Sequence, residues 1–126
     1  MQLMWEASMI DLRTKSELFD DGTYVVTVNG ELDLYSAPQL ESELAGLHQK
    51  NVRSVVVDLT ECEFIDSSAL ALLVKANKRL DAAQAGFSIV TPDRNIRRIF
   101  EITGFDRVLT IHQTRAVAMN GGLRIA

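Results

Sequence analysis

Val55–Leu80 reads VVVDLTECEFIDSSALALLVKANKRL, and the fold is decided in this stretch. Val55, Val56 and Val57 are consecutive and β-branched, which fits a strand covered on both faces, as in a parallel sheet. Asp58 and Thr60 break the apolar run and open a short acidic loop, in which Phe64 and Ile65 are expected to tuck against the core. From Leu70 the period changes. Leu70, Leu73, Val74, Asn77 and Leu80 fall at three- and four-residue spacing on one helical face, with Lys75, Lys78 and Arg79 on or near the other. The helix is expected to end near Ala83–Gly86, where a glycine can take the left-handed cap conformation.

The helix start carries the chemistry. Asp66 or Ser67 is a candidate N-cap, because a side-chain oxygen there accepts a bond from an orphan backbone N–H. A sharper reading makes Ser67 a phosphorylation site, since a hydroxyl at a strand-to-helix junction is accessible to a kinase and a phosphate adds roughly two negative charges. The local sequence by itself favours the cap, which is the commoner role of serine at such a step.

Outward from this segment, the pattern alternates. Met9–Lys15 has apolar and charged residues in turn and predicts a half-exposed strand; Asp20-Asp21-Gly22 is a turn signal, and Tyr24–Asn29 a second strand, together an antiparallel hairpin. Gly30-Glu31-Leu32-Asp33 leaves that strand as a second acidic loop. Pro38 suits a first helical turn with Ser36 as its cap, Ala37, Leu40, Leu44 and Leu47 supply its apolar stripe, and Asn51 closes it. Beyond the central helix, Phe87–Thr91 predicts a strand and Pro92-Asp93 the cap of a helix. Ile96, Ile99, Phe100 and Thr103 are that helix's inner face, and Gly104 is its stop. Arg107–His112 predicts a last strand and Arg115–Met119 a short terminal helix. The fold class is therefore α/β, a mixed sheet of about five strands with about four helices packed on it. Functional loops in such sheets gather beyond the carboxyl ends of the strands, where Gly30–Asp33 and Glu61–Ser67 would share one edge.

The chain of 126 residues reads as a single domain over 1–126, with its core from about residue 9 to about 119. An apolar fraction of 47% and a charged fraction of 24% are those of a soluble globular protein, and the net charge of −4 argues against direct nucleic acid or an anionic membrane as partners. Arg94, Arg97 and Arg98 read as a solvated helix face. Cys62 is the single cysteine, expected to be an inert loop residue in a reducing compartment. The start, Met1–Glu6, has no secretory pattern, and no apolar run approaches the ~20 residues of a membrane span, so a cytoplasmic location is expected.

Several chemistries lack their motifs. There is no phosphate-binding glycine loop, no His-Glu-x-x-His and no cysteine pair, so neither cofactor nor metal is expected. His48 and His112 read as ordinary surface or cap residues, and no Gly-x-Ser-x-Gly elbow accompanies Ser67. Asp33, Asp58 and Asp66 read as solvated loop acids and caps rather than a catalytic cluster. No catalytic residue is assigned.

Val55–Leu80 resembles the signature of STAS domains, most closely those of bacterial anti-sigma factor antagonists: an apolar strand ending in Asp-Leu, a loop, Phe-Ile-Asp-Ser-Ser, a small residue and a leucine-rich helix. Gly30-Glu31-Leu32-Asp33 resembles the family's second hallmark, and Phe87–Phe105 its third region. Two short motifs in the expected order and separation make a strong signal where either alone is weak. Ala69 departs from the pattern, standing where many members carry glycine; its methyl would join the contact edge and tune partner choice.

The resemblance implies a regulator without catalysis of its own. It would bind an anti-sigma factor that is also a serine kinase, and so release a sigma factor. It would be switched off by phosphorylation at Ser67, with Ser68 the lesser candidate, and restored by a phosphatase. Glu31, Asp33, Asp66, Ser67, Ser68 and Ala69 would form the partner-binding face of a monomer or weak dimer. A phosphate at the helix N-terminus would leave the fold in place and act as a local electrostatic and steric block. Two other readings stay open: a STAS subunit of a stressosome-like scaffold or of a lipid or anion transport assembly, and a small serine hydrolase using Ser67 with His112.

Overall fold

The computed structural model describes residues 12–120. Its five strands are β1 (Leu12–Leu18), β2 (Thr23–Leu32), β3 (Ser54–Ile65), β4 (Gly86–Val90) and β5 (Thr110–His112). The α-helices among the described residues are α1 (Ala37–Ala45), α2 (Ser67–Ala82), α3 (Arg94–Thr103) and α4 (Arg115–Asn120). Single 3₁₀ turns lie at Leu47–Gln49 and Phe105–Arg107. The sheet order is β1-β2-β3-β4-β5. β1 runs antiparallel to β2, and the remaining neighbours are parallel. The mixed five-strand sheet and its helices match the expected fold class.

Alternation along the strands splits the sheet into two faces. Val26, Val28, Val55, Val57 and Ile89 join the main core with the buried sides of α1, α2 and α3. Val25, Val56 and Val90 face the other way, where Ala118 and Met119 of α4 cover them. α1 is fastened to the hairpin from its own side. The Thr14 hydroxyl donates to Glu43 Oε1 at 3.0 Å, Ser16 donates to the second oxygen, and Gln39 Nε2 donates to the Leu12 carbonyl at 2.8 Å.

Several boundaries differ from the sequence reading. The predicted strand at Met9–Lys15 is found at Leu12–Leu18, and residues 9–11 lie outside the described residues. β3 does not stop at Asp58: it runs on to Ile65 beside β2, so most of both acidic "loops" is strand. Between the pairs Thr27↔Asp58 and Leu32↔Ile65 the register shifts twice, each shift placing an extra residue on β3. Such bulges break the period-two pattern by which a strand is recognised. They also bury Cys62 in the strand, not in a loop, and leave Phe64 about half exposed rather than tucked inward. The left-handed residue after α2 is Gln84 (φ 63°), whereas Gly86 opens β4. The last strand is shorter than Arg107–His112, because Phe105–Arg107 forms a 3₁₀ turn. Asp93 and Gly104 cap α3 as the sequence predicts, but Thr103 is exposed, its hydroxyl donating back to the Ile99 carbonyl at 2.7 Å.

Candidate functional site

The β2–α1 and β3–α2 junctions meet at the carboxyl edge of the sheet. The Asp66 backbone N–H donates to the Leu32 carbonyl at 3.3 Å, continuing the strand pairing to the point where both chains turn. Asp66 is the N-cap of α2, with extended backbone (φ −127°, ψ −173°). Its Oδ1 accepts the N–H groups of Ser68 at 2.9 Å and Ala69 at 3.2 Å. Its Oδ2 accepts the Leu34 N–H at 3.0 Å, from the other junction. One carboxylate thus caps the helix and holds the neighbouring loop.

With Asp66 as the cap, Ser67 takes the first helical position and is exposed. Its hydroxyl stands at the positive end of a helix of 16 residues, where anions are favoured. Ser68 is half-buried. Ala69 is fully buried, which corrects the expectation that its methyl lies at the contact edge; it packs beneath that edge into the main core.

The β2–α1 loop is internally ordered. Asp33 Oδ1 accepts the N–H groups of Tyr35 and Ser36, each at 3.0 Å. The buried Ser36 hydroxyl donates to the Glu31 carbonyl at 2.7 Å and accepts the Asp33 N–H at 3.0 Å. Ser36 therefore stands at the N-cap position of α1 without a side-chain cap bond, a second correction; its oxygen is spent on the loop. Glu31 is exposed and Asp33 half-buried. Leu34 and Tyr35 stand out from the loop, 62% and 76% exposed. Leu34 also lines a groove of about 330 Å³ between α1 and α2, beside Pro38, Ser68, Ala71 and Leu72. The Glu41–Lys75 ion pair (2.9 Å) joins the two helices along the same groove and holds the Glu41 carboxyl below the usual carboxylate range.

Asp58 is not a solvated loop acid. It is buried on the α4 face, its Oδ2 accepting Arg115 Nε at 3.0 Å and Nη2 at 2.8 Å, while its Oδ1 accepts the Thr60 N–H at 2.9 Å. It is therefore separated by the sheet from the helix face that carries Ser67. Burial pushes the Cys62 thiol above its ordinary value, and Sγ donates to the Phe64 carbonyl at 3.3 Å. His112 pairs with Val90, which pairs with Asp58. At ~3.3 Å per residue, that level lies on the order of 20 Å short of Ser67 along β3, so the strand register does not bring this histidine to the serine. No group of acids, histidines and cysteines among the described residues is arranged to hold a metal ion, and no described helix is long and apolar enough to cross a membrane.

The sequence profile of the STAS domain matches residues 16–118. The chain belongs to the STAS domain family. Among curated relatives, the anti-sigma-B factor antagonist of Staphylococcus aureus is 34% identical over 93 residues, 74% of this chain and 86% of the relative. Among solved structures, an anti-sigma factor antagonist from Mycobacterium paratuberculosis is 30% identical with a TM-score of 0.81, covering 88% of this chain and 93% of that one. SpoIIAA in its unphosphorylated form shares the fold at 20% identity and a TM-score of 0.75, over 90% of this chain and 99% of its own. In this STAS domain, the predicted residues Glu31, Asp33, Asp66, Ser67 and Ser68 lie on the two joined junctions. Leu34, Tyr35 and the groove beside them carried no motif and emerge from the packing alone.

Proposed function

We propose that this protein is an anti-sigma factor antagonist: it binds an anti-sigma factor that is also a serine kinase, and so releases a sigma factor for transcription. Catalysis belongs to the partner. The kinase transfers the γ-phosphoryl group of ATP to Ser67 Oγ; the new O–P bond forms as the bond to the ADP leaving group breaks, and the serine proton passes to the kinase's base. The complex then separates, and a phosphatase returns Ser67 to its free form.

The observation that carries this reading is the exposed Ser67 at the first position of α2, one residue after a cap that also binds the neighbouring loop. The curated relatives, named anti-sigma-B factor antagonists, support the partner class. The helix N-terminus accommodates a phosphate without refolding. The added charge lies beside Asp66 and on the same edge as Glu31 and Asp33, so it changes what a partner surface meets more than what the fold contains. The partner-binding face is then built on Glu31, Asp33, Asp66, Ser67 and Ser68, and its acids suit a basic partner surface.

The test is capture from native lysate on immobilised protein in two forms, one unmodified and one carrying phosphoserine at position 67. The reading expects an anti-sigma factor to be retained by the unmodified form at least ten times more strongly, and that captured protein to phosphorylate wild-type protein but not Ser67→Ala. Equal capture by both forms, or phosphorylation that persists in Ser67→Ala, contradicts it.

A further inference from the structure

Resting on the reading of Ser67 as the modified residue, we propose that Asp66 is a positioning residue that relays the charge at Ser67 to the β2–α1 loop, so that phosphorylation releases Leu34 and Tyr35 from their docking posture. The geometry that carries this is a shared carboxylate. Oδ1 of Asp66 takes the Ser68 and Ala69 N–H groups, and Oδ2 takes the Leu34 N–H, across 32 residues of sequence. A phosphate on the adjacent Ser67 is drawn to the same helix N-terminal N–H groups and repels the carboxylate that holds them. Asp66 cannot give way at Oδ1 without moving Oδ2, because both oxygens belong to one rigid planar group. The Leu34 N–H then loses its acceptor.

The released unit is defined by the remaining bonds. The backbone bond from Asp66 N–H to the Leu32 carbonyl lies on the strand side and is untouched. Asp33 and Ser36 keep the loop's internal network. The loop therefore shifts as a piece between Asp33 and the start of α1, and the fold stays. That piece carries the most exposed apolar side chains beside Ser67, with Leu34 at the mouth of the α1–α2 groove. The occupant this surface fits is the anti-sigma factor of the proposed function, presenting an apolar side chain to the groove beside Leu34 and Leu72 and a basic group to Asp66, whose Oδ2 is bonded to the Leu34 N–H. Phosphorylation thus removes an apolar anchor as well as adding a charge.

The experiment is amide hydrogen exchange on the isolated protein, with phosphoserine installed at position 67 during translation, so it needs no kinase and no partner. Exchange at Leu34 is expected to speed up at least ten-fold in the phosphoserine form, while the β4 amides stay unchanged. Asp66→Asn, without phosphate, is expected to give the same rise at Leu34: asparagine still caps a helix but offers one acceptor where the carboxylate offers two. Unchanged Leu34 exchange in the phosphoserine form overturns the relay, as does a rise there that Asp66→Asn fails to reproduce or a rise spread through the whole sheet. Failure of the proposed function would show instead as equal partner capture by the two forms, whatever the exchange result.

Discussion

Asp66 satisfies three backbone donors with two oxygens, and Ser67 satisfies none of them. The stability of the junction therefore belongs to the aspartate, leaving the serine free for modification. Asp66→Ala is expected to cost about 1–2 kcal/mol for the lost cap and loop bond. Ser67→Ala should stay within about 0.5 kcal/mol of wild type, as at an exposed site with no structural bond. Urea denaturation of both variants checks the contrast. Cys62 gives a second residue-scale prediction. Its buried thiol, held in the protonated form by desolvation, should react with iodoacetamide at pH 8 on the order of 100-fold more slowly in the native protein than in urea. The Asp-Ser-Ser step was legible in sequence as a helix start, but not which residue caps it, since aspartate and serine are nearly equal there. Asp58 was misread because a polar residue after a valine run looks like a strand end, and its partner Arg115 is 57 residues away.

At the scale of elements, two helix ends show how caps can mislead. α3 ends on Gly104 in the left-handed region (φ 80°), with open space where a Cβ would stand, so Gly104→Ala tests backbone strain alone. α2 is followed by Gln84 in the same region (φ 63°). Gly104→Ala should destabilise by about 1 kcal/mol, and Gln84→Gly should stabilise by about as much, because only glycine takes this conformation without strain. Thermal melts of the two variants should shift in opposite directions. The sequence pointed to Gly86 for the α2 cap because glycine is the usual signal, but that glycine is needed at the start of β4, where an added Cβ would meet the Ser54 side chain at 3.1 Å. The strand extension of β3 was hidden for a related reason: two bulges scramble the alternation of Glu61–Ile65, and pairing with β2, not local pattern, holds it extended.

Across the whole molecule, the sheet sorts its two faces by job. One face bears α1, α2 and α3 and presents the Ser67 edge; the other is covered by α4 through a small apolar cluster and one ion pair. Arg115 bonds Asp58 from β3 and, through Nη2, the Thr27 hydroxyl from β2 at 2.8 Å, tying the start of α4 to the middle of the sheet. Removing Arg115 leaves the buried Asp58 carboxylate with only the Thr60 donors on Oδ1. Arg115→Ala is thus expected to cost about 1–3 kcal/mol, because the guanidinium is half-exposed, and adding Asp58→Asn to that variant should restore part of the loss, a double-mutant cycle readable by urea denaturation. The architecture was legible at this scale because a hairpin followed by alternating strands and helices admits few arrangements once crossovers are right-handed. The covering of the second face was not, since α4 is a short segment with no strong period, and its place depends on a contact that no spacing announces.

Ser67 is the residue through which this protein is proposed to be switched. Intact mass followed by phosphopeptide mapping, on protein isolated from native cells in growth and under stress, tests it most directly. A single phosphate on Ser67 is expected, with an occupancy that changes with condition and is absent from Ser67→Ala. A protein that carries no phosphate in any condition, or carries it elsewhere with Ser67 unmodified, would contradict the claim.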